Sequence, residues 1–107
     1  SRSLPLLPEI HPCSRVHGHT FNVSLTLLGE IEAATGFMID FGDVEIAIEA
    51  VKKKVDHYYL NDIEGLENPT TEIIAEWLWT KFISSLPQLT RITVQEHRDR
   101  GVTYSGK

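Results

Sequence analysis

The sequence predicts a small α+β domain in which helices pack on one face of an antiparallel sheet. Three observations support this class: apolar and polar residues alternate from about Val16 to Leu28, two central segments have helical periodicity, and alternation returns near Thr90. The resulting order is strand, helix, helix, strand, strand, which is typical of α+β proteins. Because the sequence has 107 residues, we expect one domain over 1–107.

The first strand follows a proline-containing loop over residues 1–16 and carries two histidines on its apolar face. Its inward positions are His17, His19, Phe21, Val23, Leu25 and Leu27. Successive side chains of a strand point to opposite faces, so the two imidazoles are expected to lie on the same side as the core residues. Polar groups in that position indicate a site at one end of the sheet.

The first helix is predicted to begin at an N-cap, Asp43, and to end in three lysines, 52–54, that suit the negative end of the helix dipole. A second helix is predicted from Asn68 and Pro69 and is expected to end at Pro87. The apolar faces comprise Val44, Ala47, Ile48, Val51 and Val55 in the first helix, and Ile73, Ile74, Trp77, Leu78 and Phe82 in the second.

The last two predicted strands run from Thr90 to His97 and from Val102 to Tyr104, joined by a turn at HRDRG. A sheet this small with open edges favours association with further subunits.

Composition excludes several classes of protein. The net charge of −5 argues against a general nucleic-acid binder, because neutralising phosphates requires a basic surface. No apolar run approaches the roughly 20 residues that span a bilayer, so we expect no membrane segment. The single cysteine, Cys13, has no internal disulfide partner, which favours the reducing cytoplasm.

Three groups of residues are candidates for chemistry. His17 and His19 suit a zinc ion, with Cys13 nearby in sequence, although a His-x-His pair is often merely a hydrogen-bonded core pair. Asp56 immediately precedes His57 and can orient it as an acid or base, or the two can simply be solvated at a helix end.

The third candidate is Glu96, which shares its parity with Ile92 and Val94 and is therefore expected to point inward. A buried carboxylate needs a partner. That partner is either a guanidine-like ligand edge or an arginine such as Arg91 or Arg98.

Four segments, CSRVHGH, TGFMIDFGDV, VDHYYLNDIEGLENPTTE and the terminal QE…Y.G, together resemble the 6-pyruvoyl-tetrahydropterin synthase family, and most closely its bacterial 6-carboxy-tetrahydropterin synthase branch of the queuosine pathway. The resemblance extends over nearly all of the sequence. It implies the tunnelling fold (T-fold), in which sheets join across subunits into trimers that stack as hexamers. It also implies a cytoplasmic zinc lyase that acts on a small-molecule pterin.

The resemblance assigns a role to each matching residue. His17 and His19 are implied as zinc ligands, Cys13 as the catalytic thiol, and Asp56 with His57 as a proton relay. Glu96 is implied as the pterin anchor. The positions implied to line the pocket are Thr70, Thr71 and Glu72. The reaction implied is conversion of 7,8-dihydroneopterin triphosphate to 6-carboxy-5,6,7,8-tetrahydropterin, with release of acetaldehyde and triphosphate.

Three departures leave alternatives open. Arg2 stands where the family has its first zinc-binding histidine, and relatives begin with a strand that this sequence lacks. The third ligand therefore lies upstream of Ser1, is replaced by His11, or is lost. His97 and the RDRG turn also depart from the pattern beside the anchor. The alternatives are a 6-pyruvoyl product, a shorter dihydropterin substrate, or a non-catalytic pterin-binding homologue.

Overall fold

The computed structural model describes residues 2–7, 20–97 and 99–106, with His97 described as backbone only. Its elements are β1 (Asn22–Leu27), α1 (Phe41–Val55), a short 3-10 turn (Leu60–Asp62), α2 (Thr71–Ile83), β2 (Leu89–His97) and β3 (Arg100–Tyr104). The described strands form one antiparallel sheet in the order β1-β2-β3. The α+β class and the order of the elements are therefore confirmed.

The core lies where α2 packs across β2 and β3. Ile92 and Val94 of β2 are completely buried, as is Ala75 of α2. Two residues outside these elements, Leu66 and Leu86, close the ends of the same cluster. Since burying one large apolar residue contributes about 1.5–3 kcal/mol, these layers hold α2 firmly on the sheet.

Helix α1 packs less completely than α2. Ala47 and Val51 are buried, and Val44 and Val55 pack against the core from its edge, so the predicted apolar face is confirmed at these four positions. Ile48 is nevertheless 37% exposed, because it borders a cavity between α1 and β1.

The boundaries of the helices differ from the predictions. Asp40, not Asp43, caps α1: its Oδ1 accepts a hydrogen bond from the Gly42 amide at 2.7 Å. Helix α2 begins after Asn68 and Pro69, because the Thr70 hydroxyl caps it. It ends at Ile83, before the proline at 87 is reached.

The strands also differ in extent. Among the described residues β1 begins at Asn22, and the predicted strand residues 16–19 lie outside the described part. Strand β3 starts at Arg100 rather than Val102, so the turn is shorter than HRDRG.

An irregularity in the pairing of β2 with β3 falls at Glu96. Gln95 pairs with Gly101 and His97 pairs with Arg100, so Glu96 is an extra residue on β2. A Cβ atom at Gly101 would lie 2.7 Å from the Gln95 side chain, which explains the glycine opposite the bulge. Bulges change the direction of a side chain, and this one lies where the candidate anchor leaves the sheet.

In the part of the protein that the structure describes, neither helix is both long and apolar enough to cross a bilayer.

The cap of α1 gives a direct test of the helix start. Asp40→Ala should lower the free energy of unfolding by about 1 kcal/mol, because it leaves the Gly42 amide without its acceptor. Asp43→Ala is the matched control and should cost only ~0.3 kcal/mol, since it removes a charge favourable to the helix dipole and no cap. Urea denaturation measures both; a larger loss in Asp43→Ala would contradict the assignment.

Candidate active site

The Glu96 carboxylate lies at the junction of β2, α2 and the N-terminal segment. Its Oε1 accepts hydrogen bonds from Arg2 Nη2 and from the Thr71 hydroxyl. The other terminal nitrogen of the guanidinium, Arg2 Nη1, donates to the Pro69 carbonyl oxygen at 2.8 Å. The Arg2 side chain is 3% exposed and that of Glu96 is 19% exposed. The pair is therefore a largely buried ion pair, and its neighbours satisfy part of its hydrogen-bonding capacity.

The guanidinium of Arg2 also lies over an aromatic ring. Its Cζ is 5.0 Å from the centroid of Phe21, a distance typical of a cation–π contact. Among the described residues, the third guanidinium nitrogen, Nε, is buried and finds no acceptor. Leaving one buried donor unpaired costs about 1–3 kcal/mol, so Arg2 fits this site well but incompletely.

The backbone beside Arg2 is held by Asn61, which belongs to the LNDIEGLENPT segment. The Ser3 amide donates to Asn61 Oδ1 at 2.7 Å, and Asn61 Nδ2 donates to the Ser3 carbonyl at 2.9 Å. The Ser3 hydroxyl lies 2.8 Å from the Tyr59 hydroxyl. These contacts fix the backbone at Ser3 independently of the Arg2 guanidinium.

The start of α2 supplies the polar groups beside the carboxylate. Thr70 is the N-cap and its hydroxyl accepts from the Ile73 amide at 3.1 Å. Thr71 is buried and turns its hydroxyl onto Glu96. Glu72 is exposed on the first turn. Of the three predicted pocket residues, Thr71 is thus the one that contacts the Glu96 carboxylate.

Asp56 and His57 form a close pair at the end of α1. His57 Nδ1 lies 3.2 Å from Asp56 Oδ2, and the His57 side chain is 91% exposed. His57 has φ of 63°, in the left-handed region that favours glycine or asparagine just after a helix end. Histidine, like Asn and Asp, adopts this conformation more often than other non-glycine residues do.

A cavity of about 700 Å³ lies between β1, α1 and α2. Its walls are mainly apolar, and Asp56 and His57 also line it, together with Phe21. Since Phe21 contacts Arg2 as well, this ring lies between the cavity and the Glu96 ion pair.

The predicted metal ligands His17 and His19 and the predicted thiol Cys13 lie outside the described residues, as do His11 and Arg98. Within 2–7, 20–97 and 99–106, no group of three His, Cys, Asp or Glu residues is arranged as a metal site. Arg2, which the resemblance places at the family's first zinc-binding histidine, carries a protonated guanidinium with no lone pair to offer a metal, and it pairs with Glu96.

The inward direction of Glu96 is confirmed, and of the two kinds of partner left open by the sequence, an arginine is the one present in this structure. The residue is different: Arg2 makes the ion pair, whereas Arg91 is exposed. The sequence analysis also did not identify the two other groups that contact the Arg2 guanidinium, which are the Phe21 ring and the Pro69 carbonyl. One feature of the sequence could have indicated this contact: Arg2 stands where the resemblance implies a metal ligand.

Comparisons with known proteins identify the family and agree with this fold. The sequence profile described as 6-pyruvoyl tetrahydropterin synthase matches residues 2–107. The 6-carboxy-5,6,7,8-tetrahydropterin synthase of Synechocystis is 39% identical over 90 residues, 78% of this chain and 70% of the relative. The dihydroneopterin monophosphate aldolase of Pyrococcus furiosus is 35% identical over 97 residues, 88% of this chain and 82% of the relative.

A solved structure supports the fold. The 6-pyruvoyl tetrahydropterin synthase of Caenorhabditis elegans superposes with a TM-score of 0.89, covering 99% of this chain and 87% of that one at 24% identity. The fold and the site therefore define the protein as an α+β T-fold protein with a polar cluster at the edge of its sheet. The chain belongs to the 6-pyruvoyl tetrahydropterin synthase family and is a lyase of pterin metabolism, similar to the 6-carboxy-tetrahydropterin synthases.

Proposed function

We propose that the protein converts 7,8-dihydroneopterin triphosphate and water to 6-carboxy-5,6,7,8-tetrahydropterin, acetaldehyde and triphosphate, the reaction implied for queuosine biosynthesis in the cytoplasm. The names of relatives from Synechocystis and Bacillus support this choice. The observation that carries it is the environment of Glu96, which together with the Pro69 carbonyl accepts hydrogen bonds from one planar guanidinium.

A pterin carries a guanidine-like edge of its own. The 2-amino group and the ring N3–H are coplanar donors attached to one carbon, as are two nitrogens of a guanidinium. A carboxylate and a carbonyl oxygen that accept from Arg2 therefore suit a pterin as well. Glu96 is the pterin anchor in this proposal, and Thr71 fixes the orientation of its carboxylate. In this proposal Thr70 caps the start of α2, which forms the side of the pterin pocket next to Glu96, and Glu72 lies at the exposed edge of that pocket.

Proton transfer is assigned to Asp56, His57 and Cys13. Asp56 Oδ2 lies 3.2 Å from His57 Nδ1, and it is proposed to orient the imidazole so that Nε2 can give or take a proton on the substrate. The thiolate of Cys13 is the second base. Together these groups move protons between C–H and O–H positions of the substrate while triphosphate leaves and a C–C bond breaks.

His17 and His19 are proposed to hold zinc, because the sequence predicts that their side chains share one strand face and because neutral imidazoles are donors that suit this ion. Arg2 does not contribute to that set, since its guanidinium is committed to Glu96 and Pro69. Bound zinc would polarise the hydroxyl and carbonyl oxygens of the substrate and acidify the neighbouring C–H and O–H groups.

The site is proposed to be completed by a neighbouring subunit. His57 is 91% exposed in the isolated protomer, whereas acid–base groups are most effective where water is excluded. A trimer or hexamer, as the family resemblance implies, would cover this end of the cavity.

Product analysis tests the proposed reaction. Incubation of the zinc-loaded protein with 7,8-dihydroneopterin triphosphate should yield acetaldehyde and a carboxylated tetrahydropterin in equal amounts, measured by coupled aldehyde oxidation and mass spectrometry. A pyruvoyl product would move the assignment to 6-pyruvoyl-tetrahydropterin synthase. In a parallel incubation with 7,8-dihydroneopterin monophosphate, release of glycolaldehyde phosphate would favour aldolase chemistry. Binding without turnover of either substrate would favour a non-catalytic homologue.

Because His57 has a positive φ, substitution by glycine can test its role in catalysis separately from its effect on stability. His57→Gly should lower turnover at least ~100-fold, because the relay loses its acid–base group. The same change should alter the free energy of unfolding by less than about 1 kcal/mol and toward stabilisation, since glycine relieves the positive φ. His57→Asn is the matched control for conformation without acid–base chemistry. Full turnover in either variant would remove His57 from the mechanism.

A further inference from the structure

We propose that Arg2 is an internal competitor for the pterin: its guanidinium occupies the anchor at Glu96 in the ligand-free protein and must swing away before a pterin binds. This inference rests on the proposed function, because it takes Glu96 as the pterin anchor. It assigns Arg2 the role of setting both the affinity and the selectivity of that site.

Arg2 already occupies the proposed anchor at Glu96 Oε1. Both terminal nitrogens of the guanidinium are used, on the Glu96 carboxylate and the Pro69 carbonyl, and the flat group lies over Phe21. A bound pterin would make the same three kinds of contact: a hydrogen bond to a carboxylate, a hydrogen bond to a carbonyl oxygen, and stacking on an aromatic ring. With Arg2 only 3% exposed, a pterin cannot reach Glu96 Oε1 while Arg2 remains there.

Departure of the guanidinium is physically feasible. The backbone is held at Ser3 by Asn61, so Arg2 can rotate outward about its own bonds without unfolding the segment. Its buried Nε has no acceptor among the described residues, so the guanidinium is satisfied less well here than in water.

The charge of Glu96 explains why such a group is present. A buried carboxylate with no cation beside it is costly, and Glu96 lies where a ligand must be able to come and go. Arg2 keeps the charge paired while the site is empty. A ligand then displaces it only by offering comparable donors, so a ligand without a guanidine-like edge is rejected.

Binding of neopterin, a fluorescent pterin with the same 2-amino-pyrimidinone edge, tests the inference by titration of the zinc-loaded protein. Arg2→Met keeps the length of the side chain and its contact with Phe21 but removes the guanidinium. It should tighten binding by about tenfold or more, because the binding-competent state is no longer a minor one. Arg91→Ala removes an exposed arginine from β2 and should leave the affinity unchanged.

A double-variant cycle separates this inference from the proposed function. Glu96→Gln should weaken neopterin binding, and Arg2→Met should then give no tightening in the Glu96→Gln background, since the two groups act on one another. If Glu96→Gln weakens binding but Arg2→Met does not tighten it, Arg2 is a structural partner and the anchor assignment stands. If Glu96→Gln has no effect on binding, the anchor and the inference fall together.

If Arg2→Met does not fold, Arg2→Lys tests the same inference. This variant retains the positive charge but lacks the planar pair of donors. This variant should bind neopterin more tightly than the parent protein and less tightly than Arg2→Met. Weaker binding in Arg2→Lys than in the parent would show that Arg2 assists the pterin, and would overturn the inference.

Discussion

One buried negative charge organises this end of the molecule. The carboxylate of Glu96 joins the bulged end of β2 to the first turn of α2 through Thr71, and to the N-terminal segment through Arg2. Removing either hydrogen-bonding partner leaves a poorly solvated charge, so the three elements are energetically coupled. We propose the same carboxylate as the anchor for the pterin. Structural role and proposed binding role thus depend on one pair of oxygens.

The two halves of the fold differ in how tightly they are packed. The core between α2 and β2 is tightly packed, whereas α1 leaves a cavity against β1 with Asp56 and His57 at its border. A rigid half therefore positions the anchor, and the open half presents the proposed acid–base pair. His57 is 91% exposed in one protomer, and the proposed association of subunits would cover it.

The sequence predicted those features that depend on local periodicity. The element order, the apolar faces of both helices and the inward direction of Glu96 follow from spacing alone, and the bulge did not reverse that direction. The start of α1 was missed because Asp40 and Asp43 are both plausible caps, and only backbone geometry selects between them. Arg2 was missed as the partner because it is 94 positions away in sequence, and no periodicity reports so distant a contact. The predictions for Cys13, His17 and His19 fall outside the described residues and remain predictions.

The most direct test of a pterin-recognising carboxylate is a crystal structure of the zinc-loaded protein soaked with neopterin. We expect the 2-amino group and N3–H of the pterin within hydrogen-bond distance of the Glu96 carboxylate, the Pro69 carbonyl oriented toward the same edge, and the Arg2 guanidinium displaced. A pterin bound elsewhere, with Arg2 still paired to Glu96, would contradict this assignment.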